Sequence, residues 1–469
     1  MNDRAPAGLF DSVFDRALAN LRGVWREIAD SARGVLAGAP RPELPEGDAG
    51  RLREQMLSCL DRRGGEVTAR ARAADLGRTY LALDADGRAR FLRLLAEEFD
   101  VDRSGIDACC TALLAATAPA ERGAAEQALR QALLAPRVIL LRQFNALPEG
   151  VKFLVDRRAE LMELGRHDPA MRGLEQDLKA LLADWFDIGF LELKRISWDS
   201  PASLLEKLIA YEAVHEIRGW TDLKNRLEAD RRCFAFFHPR MPDEPLIFVE
   251  VALVSGMADS IQSLLDETAP MGDPQAADTA IFYSISNCQR GLAGISFGDF
   301  LIKRVVDALA NELPRLKVFA TLSPVPGFRP WLAQRQGGGD PPLPPDARLP
   351  DPPGDLETVL ETPDWCRDPA IAAALREPLL RLCAHYLLRE QRRSGRALDP
   401  VAHFHLSNGA RVERLNWLGD VSPKGLQQSA GIMVNYLYRL TDIEANHQAY
   451  RDFGRVAAAG AVSNLVRQA

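Results

Sequence analysis

The chain has 469 residues, 47% of them hydrophobic, with 58 Lys and Arg against 65 Asp and Glu and a formal charge of −7. That length predicts two or three domains, and a mildly acidic balance without long single-sign blocks argues against nucleic acid as a partner. Seven scattered cysteines, none spaced C-x-x-C, fit free thiols in a reducing cytosol and argue against structural zinc; no apolar run reaches the roughly 18 residues that cross a membrane.

The amphipathic start MNDRAPAGLFDSVFDRALANLRGVWREIAD carries Asp and Glu, which a transit peptide avoids, and the final NLVRQA lacks the S-K-L peroxisomal address. A soluble cytoplasmic protein is therefore expected. Up to about residue 190 the period is helical. In RARFLRLLAEEFD, Phe91, Leu92, Leu94, Leu95 and Phe99 share one side of a helix, and in LEQDLKALLADWFDIGF the set Leu174, Leu178, Leu181, Leu182, Trp185 and Phe186 repeats the spacing. Pro148-Glu149-Gly150 breaks two helices. This half, 1–190, reads as an all-α bundle for packing and self-association.

After 190 the runs CFAFFH, LIFVEVALV, TAIFYSIS and LKVFATLS read as buried strands alternating with helices such as Asp299 to Leu313. A Pro/Gly-rich insert at about 336–354 cannot form a core. The helical AIAAALREPLLRLCAHYLL follows, then ARVERLNWLGDV, then an expected helix from Ser422 to Leu440. The fold class is α+β: a helical domain, then an α/β domain over 191–469.

Gly294-Ile295-Ser296-Phe297-Gly298 fits G-x-S-x-G, the turn that presents a nucleophilic serine. The strand candidate Thr279 to Ser286 ends several residues too early for that elbow. Glycines 291, 294 and 298, followed by Asp299 as a helix cap, instead describe a strand, a glycine-rich loop and a helix N-terminus, suited to a phosphate. Spacing alone leaves a phosphate cradle and a plain packing turn both open, and neither the ATP nor the dinucleotide motif is present.

Gln289 to Gly294, QRGLAG, resembles the coenzyme A pyrophosphate loop of the acetyl-CoA-dependent N-acetyltransferase fold. FYSIS, GLAGISFGDFLIKRVV, LSPVPGF, ALDPVAHFHLSNGARVERLNWLGDVS and GIMVNYLYRL, in that order, together resemble the malonyl-CoA decarboxylase family over roughly residues 190 to 440. The resemblance implies an N-acetyltransferase-like catalytic domain, malonyl-CoA as substrate, and no cofactor or metal, because the thioester carbonyl is itself the electron sink. It implies that Ser323 and His405 are catalytic, that Ser284 and Tyr438 line the site, and that Ala293, Gly294, Ile295, Ser296, Phe297, Gly298 and Asp299 bind coenzyme A. Animal members carry an acidic residue where this chain has Ser296, which leaves the partner of His405 open.

Residue chemistry gives plainer alternatives. Ser323, stiffened by Pro324 and Pro326, also fits a turn serine. His403 and His405 would share a face if extended, as a metal pair requires, yet no third ligand is specified nearby. His405 has a near-neutral reference pKa suited to giving a proton. His215-Glu216 begins H-E-x-x-H, but Gly219 ends the motif. Lys303, Arg304 and Arg329 are candidates for phosphate contacts or a solvated face. Two other functions share the scaffold, an acyltransferase using coenzyme A and a non-catalytic coenzyme A-binding regulator. A homo-oligomer assembled through the helical domain is expected.

Overall fold

Three Asp-Pro pairs, at 168–169, 368–369 and 399–400, each open a helix in the computed structural model. Each Asp carboxylate accepts from two backbone N–H groups just beyond it, and Pro fills the first helical position, where no N–H is needed. The structure describes residues 21–29, 40–61, 65–186, 188–295, 301–336, 356–362 and 364–467. Two compact units divide the chain, the first formed by 1–192 with 237–246 and 288–297, the second by 193–236, 247–287 and 298–469.

The first unit is helical: α1 (21–29), α2 (Glu46–Leu60), α3 (Gly65–Ala82), α4 (Ala85–Glu98), α5 (Arg103–Ala115), α6 (Pro119–Ala132), α7 (Pro136–Phe144), α8 (Gly150–Leu164) and α9 (Pro169–Trp185). The expected stripes are buried, except that Trp185 is only half-buried. Trp25, Phe144 and Phe153 pack ring on ring with centroids 5.0–5.9 Å apart. Gly77 gives Trp25 its place, since a Cβ there would lie 2.1 Å from the indole. Glu149, in the left-handed region at φ 55°, makes the break before α8.

The second unit is built on a mixed sheet. Its strands are β1 (Glu192–Ile196), β2 (Arg231–Phe237), β3 (Ile247–Val254), β4 (Thr279–Asn287), β5 (Val318–Thr321), β6 (Ser323–Pro324), β7 (Arg411–Asn416) and β8 (Met433–Leu437). Their order is β1-β2-β3-β4-β5-β8-β6, with β7 also on β8. β4 and β5 run parallel, whereas β2–β3, β3–β4, β5–β8, β6–β8 and β7–β8 pair antiparallel. The helices are α10 (Ala202–Tyr211), α11 (Trp220–Arg226), α12 (Ile261–Leu264), α13 (Leu301–Glu312), α14 (Phe328–Gln336), α15 (Leu356–Glu361), α16 (Pro369–Arg389), α17 (Pro400–Ser407), α18 (Pro423–Ser429), α19 (Ile443–Phe453) and α20 (Gly460–Arg467). The crossover from β4 to β5 contains the glycine-rich loop and α13, whose Leu301, Val305, Val306 and Leu309 are buried as their spacing predicts. The mixed α+β class expected from the sequence is the class observed.

One expectation is corrected, and the condition for a His403–His405 pair is not met. Ser422 to Leu440 is not one helix: α18 stops at Ser429, Ala430 and Gly431 take left-handed φ of 51° and 75°, and the chain leaves as β8. His403 and His405 are not extended: both lie in α17, where residues two apart point about 200° apart, so no metal pair forms. Apart from Gln336, the Pro/Gly-rich insert falls outside the described residues.

Candidate active site

β5 ends at Thr321, and the chain passes through Leu322 into β6. Alternation along this extended stretch sends Ala320 and Leu322 into an apolar cluster with Ile281, Tyr283 and Met433, leaving Thr321 and Ser323 on the opposite face. The Ser323 hydroxyl donates to Thr321 Oγ1 at 2.9 Å and lies 3.0 Å from His405 Nε2. Thr321 Oγ1 also accepts from the Tyr436 N–H at 3.1 Å, which fixes it to β8.

His405 is delivered by α17. Asp399, the cap of that helix, accepts from the N–H groups of Val401 and Ala402 through one oxygen, both at 2.9 Å. Its other oxygen accepts from the Gly327 N–H at 3.2 Å. One buried carboxylate thus joins the helix bearing His405 to the turn that follows Ser323. Gly327 is required there because a Cβ would meet the Tyr386 hydroxyl at 2.2 Å.

β8 supplies the remaining walls. The Tyr436 ring stacks on the imidazole at 4.5 Å between centroids, and the Tyr438 hydroxyl lies 2.8 Å from His405 Nδ1. With Ser323 donating to Thr321, the relay runs from Tyr438 to His405 Nδ1 and from Nε2–H to Ser323. The mirror tautomer uses the same heavy-atom positions with Ser323 donating to Nε2. Tyr438 therefore occupies the position at His405 that the sequence left open.

Ser323, His405 and Tyr438 are 6%, 2% and 1% exposed. Burial pushes the His405 pKa down to about 3 and the Tyr438 phenol up. This corrects the expectation of a near-neutral histidine: the imidazole of the unliganded protein is uncharged at pH 7. Ser323 and His405 open into a cavity of about 260 Å³, lined otherwise by Val214, Phe282, Tyr283, Ile285, Asn287, Pro324, Pro400, Val401 and Phe404.

Ser284 does not line this cavity; its hydroxyl donates to the Glu212 carboxylate at 2.8 Å beside Ser286. Of the loop residues, Ala293 and Gly294 are exposed and Ile295 is buried, whereas Ser296, Phe297, Gly298 and Asp299 lie outside the described residues. Gly291 is a packing glycine: a Cβ there would lie 1.7 Å from the Val155 carbonyl of α8, while Arg158 donates to the Gly291 carbonyl at 2.7 Å. Gly294 has φ +71°, and the Lys179 amine lies 3.3 Å from where its Cβ would be. The Arg304 guanidinium covers the Phe236 ring, and Arg329 is half-buried and donates to the Leu360 carbonyl.

Thr321, Asp399, Tyr436, Lys179 and Glu212 were not singled out from the sequence. The alternations T-x-S and Y-x-Y and the Asp-Pro cap were signals for the first three, whereas the other two contacts cross long sequence separations. Among the described residues no group of three or more His, Cys, Asp or Glu gathers in a metal-binding arrangement, and no helix is long and apolar enough to cross a membrane.

Fold and relay define a mixed α+β protein with a hydroxyl–imidazole–phenol chain at the wall of a small cavity. Residues 189–469 match the family model for the malonyl-CoA decarboxylase C-terminal domain, and 99–186 the one for its N-terminal domain. The mitochondrial malonyl-CoA decarboxylase of the goose Anser anser anser is 39% identical over 85% of this chain and 84% of its own length, and that of Rattus norvegicus 38% over 85% and 86%. The crystal structure of malonyl-CoA decarboxylase from Rhodopseudomonas palustris is similar at 45% identity and a TM-score of 0.82, covering 89% of this chain and 99% of that one. The corresponding Agrobacterium vitis structure is similar at 44% and 0.80, with the same coverage. The chain belongs to the malonyl-CoA decarboxylase family.

These relatives correct the cytoplasmic expectation. The goose and rat proteins, and the Mus musculus protein at 36% identity, are named mitochondrial.

Proposed function

We propose that Ser323 and His405 together carry out the decarboxylation of malonyl-CoA to acetyl-CoA and carbon dioxide, a carboxy-lyase reaction. The observation that carries this assignment is the buried contact of 3.0 Å between Ser323 Oγ and His405 Nε2 at the wall of the chamber. Ser323 donates to the malonyl carboxylate and helps hold it out of the plane of the thioester carbonyl. The bond between that carboxyl and the α-carbon breaks, its electron pair enters the thioester to form an enolate, and carbon dioxide leaves.

Protonation of the α-carbon completes the reaction, and the overall conversion consumes one proton. His405 is neutral before substrate arrives, but a carboxylate entering beside it favours the imidazolium. Substrate and proton therefore bind together, and the imidazolium gives its proton to carbon and returns to the neutral form. Tyr438 holds the ring through Nδ1.

The backbone N–H groups from Ala293 to Asp299 hold the pyrophosphate of coenzyme A, with the Lys179 amine adding charge beside Gly294. The thioester supplies the electron sink, so no cofactor or metal is assigned. The helical region self-associates through α5 and α6, which bury none of their residues. Neither nucleic acid nor membrane is assigned as a partner.

Incubating the purified protein with malonyl-CoA alone tests the reaction. Acetyl-CoA and carbon dioxide in equal amounts, formed without an acceptor, are expected. Product that appears only with an added amine would replace this reading by acyl transfer.

A further inference from the structure

Between α10 and α11 the chain has no regular structure, yet the backbone of 213–218 is tied down along its length. The Ala213 N–H donates to Ser286 Oγ at 3.2 Å, and the N–H groups of Val214 and His215 donate to Glu212 at 2.9 and 2.8 Å. Lys424 donates to the carbonyls of Ala213 and Val214 at 2.8 and 2.9 Å. Arg226 donates to those of His215 and Glu216 at 2.9 and 3.0 Å, and Asp222 accepts from the Arg218 N–H at 3.0 Å.

The anchors are themselves fixed. Arg226 is 1% exposed and paired with Asp222 at 2.8 Å and Glu250 at 3.0 Å, while Glu212 accepts from Ser284 and Ser286. A buried ion-pair network is a weak source of net stability; its effect here is to define one backbone path. That path carries Val214 to the wall of the catalytic chamber. The other apolar walls stand on β4, β6 and α17, so among the described residues Val214 is the one wall residue drawn from irregular chain. Its branched side chain has little rotameric freedom with which to yield.

We propose that Val214, immobilised by this strap, is a specificity-determining residue that excludes substituents on the α-carbon, favouring an unbranched malonyl thioester over its α-methyl analogue. The proposal rests on the decarboxylase reading above, because the space beside Ser323 and His405 is where the α-carbon loses carbon dioxide. One methyl group in a confined apolar site shifts kcat/KM by about tenfold or more, and the strap removes the motion that would blur the difference.

The test measures kcat/KM for malonyl-CoA and methylmalonyl-CoA with the full chain, following acetyl-CoA and propionyl-CoA. Val214→Ala is expected to move the ratio toward methylmalonyl-CoA by about tenfold. Lys424→Met, which frees two strap carbonyls without altering the chamber lining, moves it the same way by a smaller factor. An unchanged ratio in Val214→Ala, with malonyl-CoA still turned over, overturns the assignment of Val214. A wild-type protein forming no acetyl-CoA overturns instead the reaction beneath it, so the two failures are distinct.

Discussion

Among the described residues, His405 meets the Tyr436 and Phe404 rings, two hydroxyls and apolar walls, with no carboxylate or cation beside it. Burial is then the sole cause acting on its proton, and it favours the neutral ring down to about pH 3. Between that value and the unfolded pKa near 6.5, the unfolded chain binds a proton that the folded chain refuses, so the His405 contribution to stability is present above about pH 6.5 and is lost as pH falls. Urea unfolding at pH 7.5 and pH 5.0 is expected to show a smaller loss of stability at the lower pH in His405→Gln than in wild type; equal losses would contradict a buried neutral imidazole. Ser323 and His405 became candidates through the family resemblance of LSPVPGF and VAHFHLSNG, their spacing alone fitting a turn serine and an ordinary histidine, and the structure brings them within 3.0 Å. The tie from Ser323 to Thr321 is local, two residues apart on one extended stretch, whereas the contact of His405 with Tyr438 joins positions far apart in the chain that no local pattern connects.

At the scale of elements, the placement of α17 depends on Asp399. Asp399→Ala removes the cap and the tie to Gly327, with an expected cost of about 2 kcal/mol and a lowered kcat, because the helix bearing His405 loses its anchor. Asp399→Asn, which keeps an acceptor oxygen, is expected to recover most of the stability in urea unfolding; no difference between the two variants would contradict the capping role. VAHFH alternates in a manner that an extended chain also satisfies, so its spacing does not by itself select the helix. The error fell on 422–440, where Tyr436 and Tyr438 alternate on a strand after the left-handed turn at Ala430 and Gly431. Helical stripes up to residue 186 and the four apolar strand runs were readable because burial repeats at the period of each element.

For the whole molecule, a mixed α+β class with a helical first half followed from the change of period near residue 190. The compact units are not consecutive in sequence, since 237–246 and 288–297 belong with the first. Local pattern cannot reveal this: Gly291 reads as a ligand-approach glycine until Val155 is found against it. The α5–α6 hairpin has Leu114 85% exposed and no buried residue, which suits association between copies. Under the proposed self-association, Leu114→Glu is expected to sediment as a smaller species than wild type with unaltered circular dichroism; an unchanged species would contradict an interface on α5 and α6.

The hydroxyl of Ser323, held by Thr321 and His405, is proposed to work on the malonyl group and not on the coenzyme A carrier. This role is tested most directly by the steady-state kinetics of Ser323→Ala with malonyl-CoA, alongside its affinity for coenzyme A. A fall in kcat of about a hundredfold or more, with affinity for coenzyme A retained, is the predicted result. Turnover within a few-fold of wild type would contradict the account and remove Ser323 from the chemistry.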